Sequence, residues 1–141
     1  MLLDVTKLQL KPINGSEAFS TVGKQVLAGL DQVERQKEHV FVFGLDTRHH
    51  VQYVDRVSTG TLDASLIHPR EIFRQAIAFG VSAIAIMHNH PSGDITPSRE
   101  DKHVTKRLSE AGKNLGIDVL DHMIVGSKTL TRSRLTDHEK P

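Results

Sequence analysis

Apolar residues recur along this chain in two rhythms, one helical and one extended. Within S16-E-A-F-S-T-V-G-K-Q-V-L-A-G-L30, the residues Phe19, Val22, Val26 and Leu30 share one helical face, with Ser16 as the cap. H39-V-F-V-F-G-L45 is a continuous apolar run, the pattern of a strand covered on both faces. D46-T-R-H-H50 reads as a turn, and V51-Q-Y-V-D-R-V57 as the returning strand of a hairpin. A second helix starts at Pro69 and stops at Gly80, with Ile72, Phe73, Ala76 and Ile77 as its buried stripe. V81-S-A-I-A-I-M87 predicts a central strand. From Ser98, the residues Val104, Leu108, Ala111 and Leu115 recur at helical spacing until Gly116 ends the run. I117-D-V-L120 and M123-I-V125 predict two strand segments, and T136-D-H-E-K-P141 a frayed end. Helices interleaved with apolar strands predict an α/β fold with a mixed β-sheet flanked by helices.

At 141 residues the chain has the size of one domain. The expectation is a single domain over 1–141, its core at about 15–132, with peripheral extensions at 1–14 and 133–141. There is no internal repeat and no low-complexity tract. Eighteen basic residues against 17 acidic ones give no electrostatic reason for a nucleic-acid or acidic-membrane partner, so nucleic-acid binding is expected to be weak or absent. With no Trp and one Tyr, stacking platforms for single strands are largely missing. No apolar run reaches the length of a membrane span, and M1-L-L-D-V-T-K7 lacks the basic start and apolar centre of a signal peptide. A cytoplasmic location is expected. Cysteine is absent, so any metal must be held by nitrogen and oxygen.

Nine histidines sharpen that point. His49, His50 and His138 sit in polar stretches, but H88-N-H90 ends an apolar strand. Side chains alternate along a strand, so His88 and His90 face the same way, about 7 Å apart at the backbone. Pro91-Ser92-Gly93 suits a tight turn, and the helix that follows carries Asp101 in its first turn. S98-R-E-D101 is also a capping box, in which Ser98 and Asp101 satisfy each other's backbone groups. The joint pattern favours a metal site, with Ser98 able to cap the helix as well: strand ends of α/β sheets are where ligands sit. Two imidazoles and one carboxylate with an open fourth position suit catalytic zinc, whose bound water falls to a pKa of about 7.

H88-N-H90-P-S-G-D-I-T-P-S98-R-E-D101 resembles the signature of the JAMM (MPN-plus) metalloproteases: His-x-His, seven residues, then Ser-x-x-Asp. More narrowly, H-N-H-P-S-G-D with T-P-S, H68-P-R-E-I-F-R74 and L120-D-H-M-I-V-G126 is similar to the bacterial RadC-like family, over about Glu38 to Gly126. The resemblance implies a single JAMM/MPN domain with a cytidine-deaminase-like α/β core. It implies zinc (Zn2+) held by His88, His90 and Asp101, with Ser98 stabilising an oxyanion. The family also has a glutamate on or just before an upstream strand, and Glu38 occupies that place. Its role would be to take a proton from the metal-bound water and return it to a leaving amine. Glu71, beside Arg70 in a helix's first turn, is better explained by the helix dipole. Longer RadC-like proteins carry a helix-hairpin-helix module before this region, and Met1 to Lys37 is expected to be too short for that module plus its linker.

Three readings follow. The leading one is a zinc metallopeptidase or isopeptidase acting on a peptide or protein substrate. The second is a DNA-repair-associated accessory protein in which the metal is structural or vestigial. The third keeps the ligands but places non-haem iron(II) in them, which leaves Glu38 idle. A zinc nucleobase deaminase is disfavoured because its cysteine ligands are missing. Asp121 and His122 either orient a ligand imidazole or form a buried hydrogen-bonded pair between strands. Lys102, Lys106, Arg107 and Lys113 either bind phosphates or form a solvated helix face, and the solvated face is favoured.

Overall fold

The computed structural model describes residues 1–59, 67–126 and 132–134. The expected frayed end at 136–141 lies outside them. Four α-helices, α1 (Ser16–Ala28), α2 (Gln32–Arg35), α3 (Pro69–Phe79) and α4 (Arg99–Leu115), accompany five strands. These are β1 (His39–Leu45), β2 (Val51–Thr59), β3 (Ala83–His90), β4 (Asp118–Gly126) and β5 (Arg132–Arg134). They form one mixed sheet in the order β2-β1-β3-β4-β5. Among the described residues, only β3 and β4 run parallel, and α4 is the crossover such a pair requires. The fold is the expected α/β class.

The continuous apolar run at β1 is buried along its whole length because the sheet is covered on both faces. Phe41, Phe43 and Leu45 pack with Phe19, Val22 and Val26 of α1, while Val40 and Val42 pack with Ile72 and Phe73 of α3 and Leu108 of α4. Phe19 meets Phe43 edge to face, with ring centres 5.2 Å apart. Each fully buried Phe side chain contributes about 1.5–3 kcal/mol by area. Within residues 1–14, Ile13 is buried in the core and Leu3, Val5, Leu8 and Leu10 lean on it. The first residues also line the outer edge of β2, through Leu3 N–H to the Val54 carbonyl and Arg56 N–H to the Met1 carbonyl (2.9 Å each). That contact shields an edge that would otherwise invite pairing.

Several local expectations shift. Ser16 is the first residue inside α1; the cap is Gly15, with no side-chain hydrogen bond. The hairpin turn is closed by Asp46, whose Oδ1 accepts from the N–H groups of Arg48 and His50. β3 begins two residues later than expected and runs on through His90, so both histidines are strand residues. Asp118–Gly126 is one strand, not two segments, and Ile117 lies outside it. Ile77 and Leu115, expected in buried stripes, are 60% and 49% exposed. Ile77 is turned about 90° from the centre of the Ile72–Phe73–Ala76 stripe at 100° per residue. Leu115 is the last residue of α4, and both side chains line one shallow groove between α3 and that helix end. Gly80 and Gly116 end their helices at φ 68° and 73°, left-handed positions where a side chain would be strained.

Candidate metal centre

The C-terminal end of β3 and the first turn of α4 face each other across one tight turn. The His90 carbonyl accepts from Gly93 N–H at 3.0 Å, with Pro91 and Ser92 at the corners and Gly93 at φ 87°. His90 Nδ1 lies 2.6 Å from the Asp94 carbonyl oxygen, which requires that nitrogen to carry the proton and leaves Nε2 as a lone pair. Ser98 is the N-cap of α4, and the capping box is complete. Ser98 Oγ accepts from Asp101 N–H at 3.0 Å, and Asp101 Oδ2 accepts from Ser98 N–H at 2.8 Å. The capping box that the sequence offered beside the metal reading is thus formed.

Among the described residues, one group of three histidine or acidic side chains comes close enough to share an ion. It is His88, His90 and Asp101, whose ligand atoms all lie within 4.8 Å of one another. His88 Nε2 stands 3.5 Å from Asp101 Oδ1, and His90 Nε2 stands 4.0 Å from Asp101 Oδ2. His88 is 2% exposed, and its Nε2 has no hydrogen-bond partner among the described residues. An orphaned buried nitrogen opposite a carboxylate is costly unless a cation stands between them. Burial, the largest influence, pushes the His88 imidazolium down to about 4, so the ring is neutral and able to ligate at neutral pH. The donor set fits zinc.

Behind His88 lies a polar chain. His88 Nδ1 is 2.9 Å from His122 Nε2, and His122 Nδ1 is 2.6 Å from Thr105 Oγ1. Thr105 in turn donates to the Asp101 carbonyl at 2.8 Å. His122 is 3% exposed, and burial holds its pKa well below the ordinary imidazole value. Asp121, the residue before it, is also buried. His122 thus lies directly against the His88 ring, on the side away from Asp101. Thr105 went unremarked in the sequence; the available signal was its place one helical turn after Asp101, on the same face.

Glu38 is half-buried and directly precedes β1. Val40, two residues after Glu38, pairs with His88. The backbone on either side of Glu38 is clamped by Asn89. Its Oδ1 accepts from His39 N–H at 2.8 Å, and its Nδ2 donates to the Lys37 carbonyl at 2.9 Å. Asn89 is fully buried, on the sheet face opposite its two flanking histidines. Its importance was hidden in the sequence because its partners lie 50 and 52 residues away. Glu71, the rival carboxylate, is exposed in the first turn of α3. Lys102, Lys106, Arg107 and Lys113 are exposed on the outer face of α4.

An α/β domain with His-x-His at a strand end and Ser-x-x-Asp opening the next helix is a JAMM-type domain. This chain belongs to the RadC-like JAB domain family, which matches residues 16–137. It is similar to a UPF0758 protein of Desulfitobacterium hafniense, 53% identical over 90 residues, covering 64% of this chain and 40% of that protein. It is 53% identical over 113 residues to a UPF0758 protein of Caldanaerobacter subterraneus, covering 78% of this chain and 48% of the relative. A UPF0758 protein of Methanosarcina mazei is 48% identical over 93 residues, 66% of this chain and 41% of its own length. The chain thus spans less than half the length of these relatives, and their name states no activity. No described helix is long and apolar enough to cross a membrane.

Proposed function

We propose that this domain is a zinc-dependent hydrolase of amide bonds, a metallopeptidase or isopeptidase whose substrate is a peptide or protein. The observation that carries the reading is the buried, unpartnered Nε2 of His88 facing Asp101 Oδ1 at 3.5 Å, with His90 Nε2 beside the second carboxylate oxygen. His88, His90 and Asp101 would hold the ion. When bound, zinc supplies Lewis acidity, polarising a carbonyl and bringing a water's pKa to about 7.

The protein's own groups supply the rest. Glu38, which directly precedes β1, takes the proton of the attacking water and delivers it to the leaving nitrogen. Ser98 Oγ uses a lone pair to accept from Asp101 N–H, so its own proton remains to be donated to the developing oxyanion. The capping bond orients that hydroxyl before substrate arrives. A hydrolytic role for Glu38 favours zinc over iron(II) in the same ligands, because an oxygenase has no use for such a base.

The test is metal analysis of protein purified without added metal, then a panel of peptide and isopeptide reporters before and after chelation. The reading expects one zinc per chain and turnover abolished by chelation and restored by zinc. Zinc bound only more weakly than about micromolar, some 8 kcal/mol, sinks it. Iron with oxygen-dependent turnover replaces it with the oxygenase reading.

A further inference from the structure

We infer that Thr105 and His122 form a buried relay that selects the metal-receptive tautomer of His88 and ties that ring to the helical turn carrying Asp101. The clause about metal rests on the zinc reading above; the tautomer assignment does not.

The assignment follows from counting protons. The Asp101 carbonyl can only accept, and Thr105 Oγ1 stands 2.8 Å from it with a single proton to give. Once that proton is committed, the hydroxyl can only accept from His122, at 2.6 Å, so His122 carries its hydrogen on Nδ1. A neutral imidazole has one N–H, which makes His122 Nε2 an acceptor. The 2.9 Å contact to His88 Nδ1 is then an N–H donated by His88. The His88 hydrogen is thereby used, and Nε2 is left as a lone pair in the site.

Reversing the chain has a definite consequence. If Thr105 donated to His122 Nδ1, the hydroxyl oxygen and the Asp101 carbonyl would face each other as two acceptors at 2.8 Å. His122 would carry its hydrogen on Nε2, and His88 would carry its own on Nε2, aimed at Asp101 Oδ1 3.5 Å away. That state closes the site with an N–H turned from one proposed ligand toward another. The direction of one buried hydroxyl on α4 therefore separates an open ligand set from a closed one. Thr105 is fully buried, so no solvent competes for the choice. The partner of the ligand is here a neutral imidazole where a carboxylate or carbonyl is usual, and the chain ends on the backbone of a second ligand. The relay thus joins β3, β4 and the start of α4.

Long-range proton–nitrogen NMR of the metal-free parent reads both tautomers directly, and Nδ1–H is expected on His88 and on His122. Nε2–H on His88 in the folded parent overturns the relay. Thr105→Val keeps the shape but removes the acceptor. It is expected to move His88 toward Nε2–H and to weaken zinc binding about 10–100-fold, measured against a chromophoric chelator. Thr105→Ser retains the hydroxyl and is expected to restore both readouts. Parent tautomers and parent zinc affinity in folded Thr105→Val also overturn it. A parent that shows the expected tautomers yet binds no zinc fails the zinc reading alone and leaves the tautomer assignment standing.

Discussion

Ser98 and Asp101 hold each other through two reciprocal hydrogen bonds, and the same Asp101 carboxylate faces both site histidines. One carboxylate thus starts a helix and, in the zinc reading, also serves as a ligand, and the two duties can be separated by substitution. Ser98→Ala removes the cap and is expected to cost about 0.5–2 kcal/mol of stability, with zinc affinity close to the parent. Asp101→Asn still offers an oxygen to Ser98 N–H, so stability in chelator should change little while zinc affinity falls. Urea denaturation of chelator-treated protein and zinc competition read the two effects. Equal zinc affinity in Asp101→Asn and the parent would remove Asp101 from the ligand set.

Glu38 separates chemistry from scaffolding. Glu38→Gln keeps the size of the side chain and leaves His88, His90 and Asp101 untouched. Zinc content and thermal stability should match the parent, while hydrolysis of a cleavable reporter falls about 10²–10⁴-fold, the range for losing a positioned acid–base group. Parent-like turnover would leave the mechanism without its base.

The site was more legible in the sequence than its supports were. His88 and His90 read as neighbours because a strand has a period of two, and Asp101 followed from a Pro-Gly turn running into a capped helix; all of this is local. The helices and strands were legible for the same reason, since burial imposes its period on the apolar residues. Supports that act across the sheet leave no local signature. Nothing near Asn89 shows that it spans Glu38, and nothing near Thr105 shows a histidine from β4 beside it. The exposure of Ile77 and Leu115 is likewise a tertiary outcome, because their spacing alone suits burial.

The charge distribution predicts weak nucleic-acid binding. The exposed cations of α4 share that face with Glu110, and the whole chain carries a formal charge of +1. Fluorescence anisotropy with duplex and single-stranded DNA should show only weak association that disappears with added salt. Tight, sequence-specific binding at physiological salt would promote the accessory-protein reading.

Asn89 is predicted to position the general base without touching the metal. Its two hydrogen bonds, one buried and one part-buried, fix the peptide units on either side of Glu38, at 2.8 and 2.9 Å. Asn89→Ala leaves the buried His39 N–H without that partner, a loss of about 1–3 kcal/mol, and hands the part-buried Lys37 carbonyl to water. Reporter turnover should fall through kcat more than through KM, with zinc content retained. Asn89→Asp keeps the acceptor for His39 N–H but has no donor for Lys37, and should fall between Ala and the parent in kcat. Zinc loss in step with turnover in both variants would assign Asn89 to the ligand strand alone.

The buried imidazoles predict how the metal-free protein responds to acid. Burial lowers His88 from 6.5 to about 4 and lowers His122 in the same direction. Between those values the unfolded chain binds protons that the folded chain refuses, so unfolding takes up protons and stability declines as pH falls. The contribution is fully present above 6.5, is lost progressively on the way to about 4, and then levels off once His88 is protonated in both states. Urea midpoints of chelator-treated protein should therefore drop between about pH 7 and pH 5, before most carboxylates titrate. Over the same interval the His88 ring resonances in the folded protein should stay at their neutral positions. His88 resonances that titrate near the ordinary imidazole value would show the ring to be accessible to water, and the orphaned Nε2 would then lose its force as a sign of a missing cation.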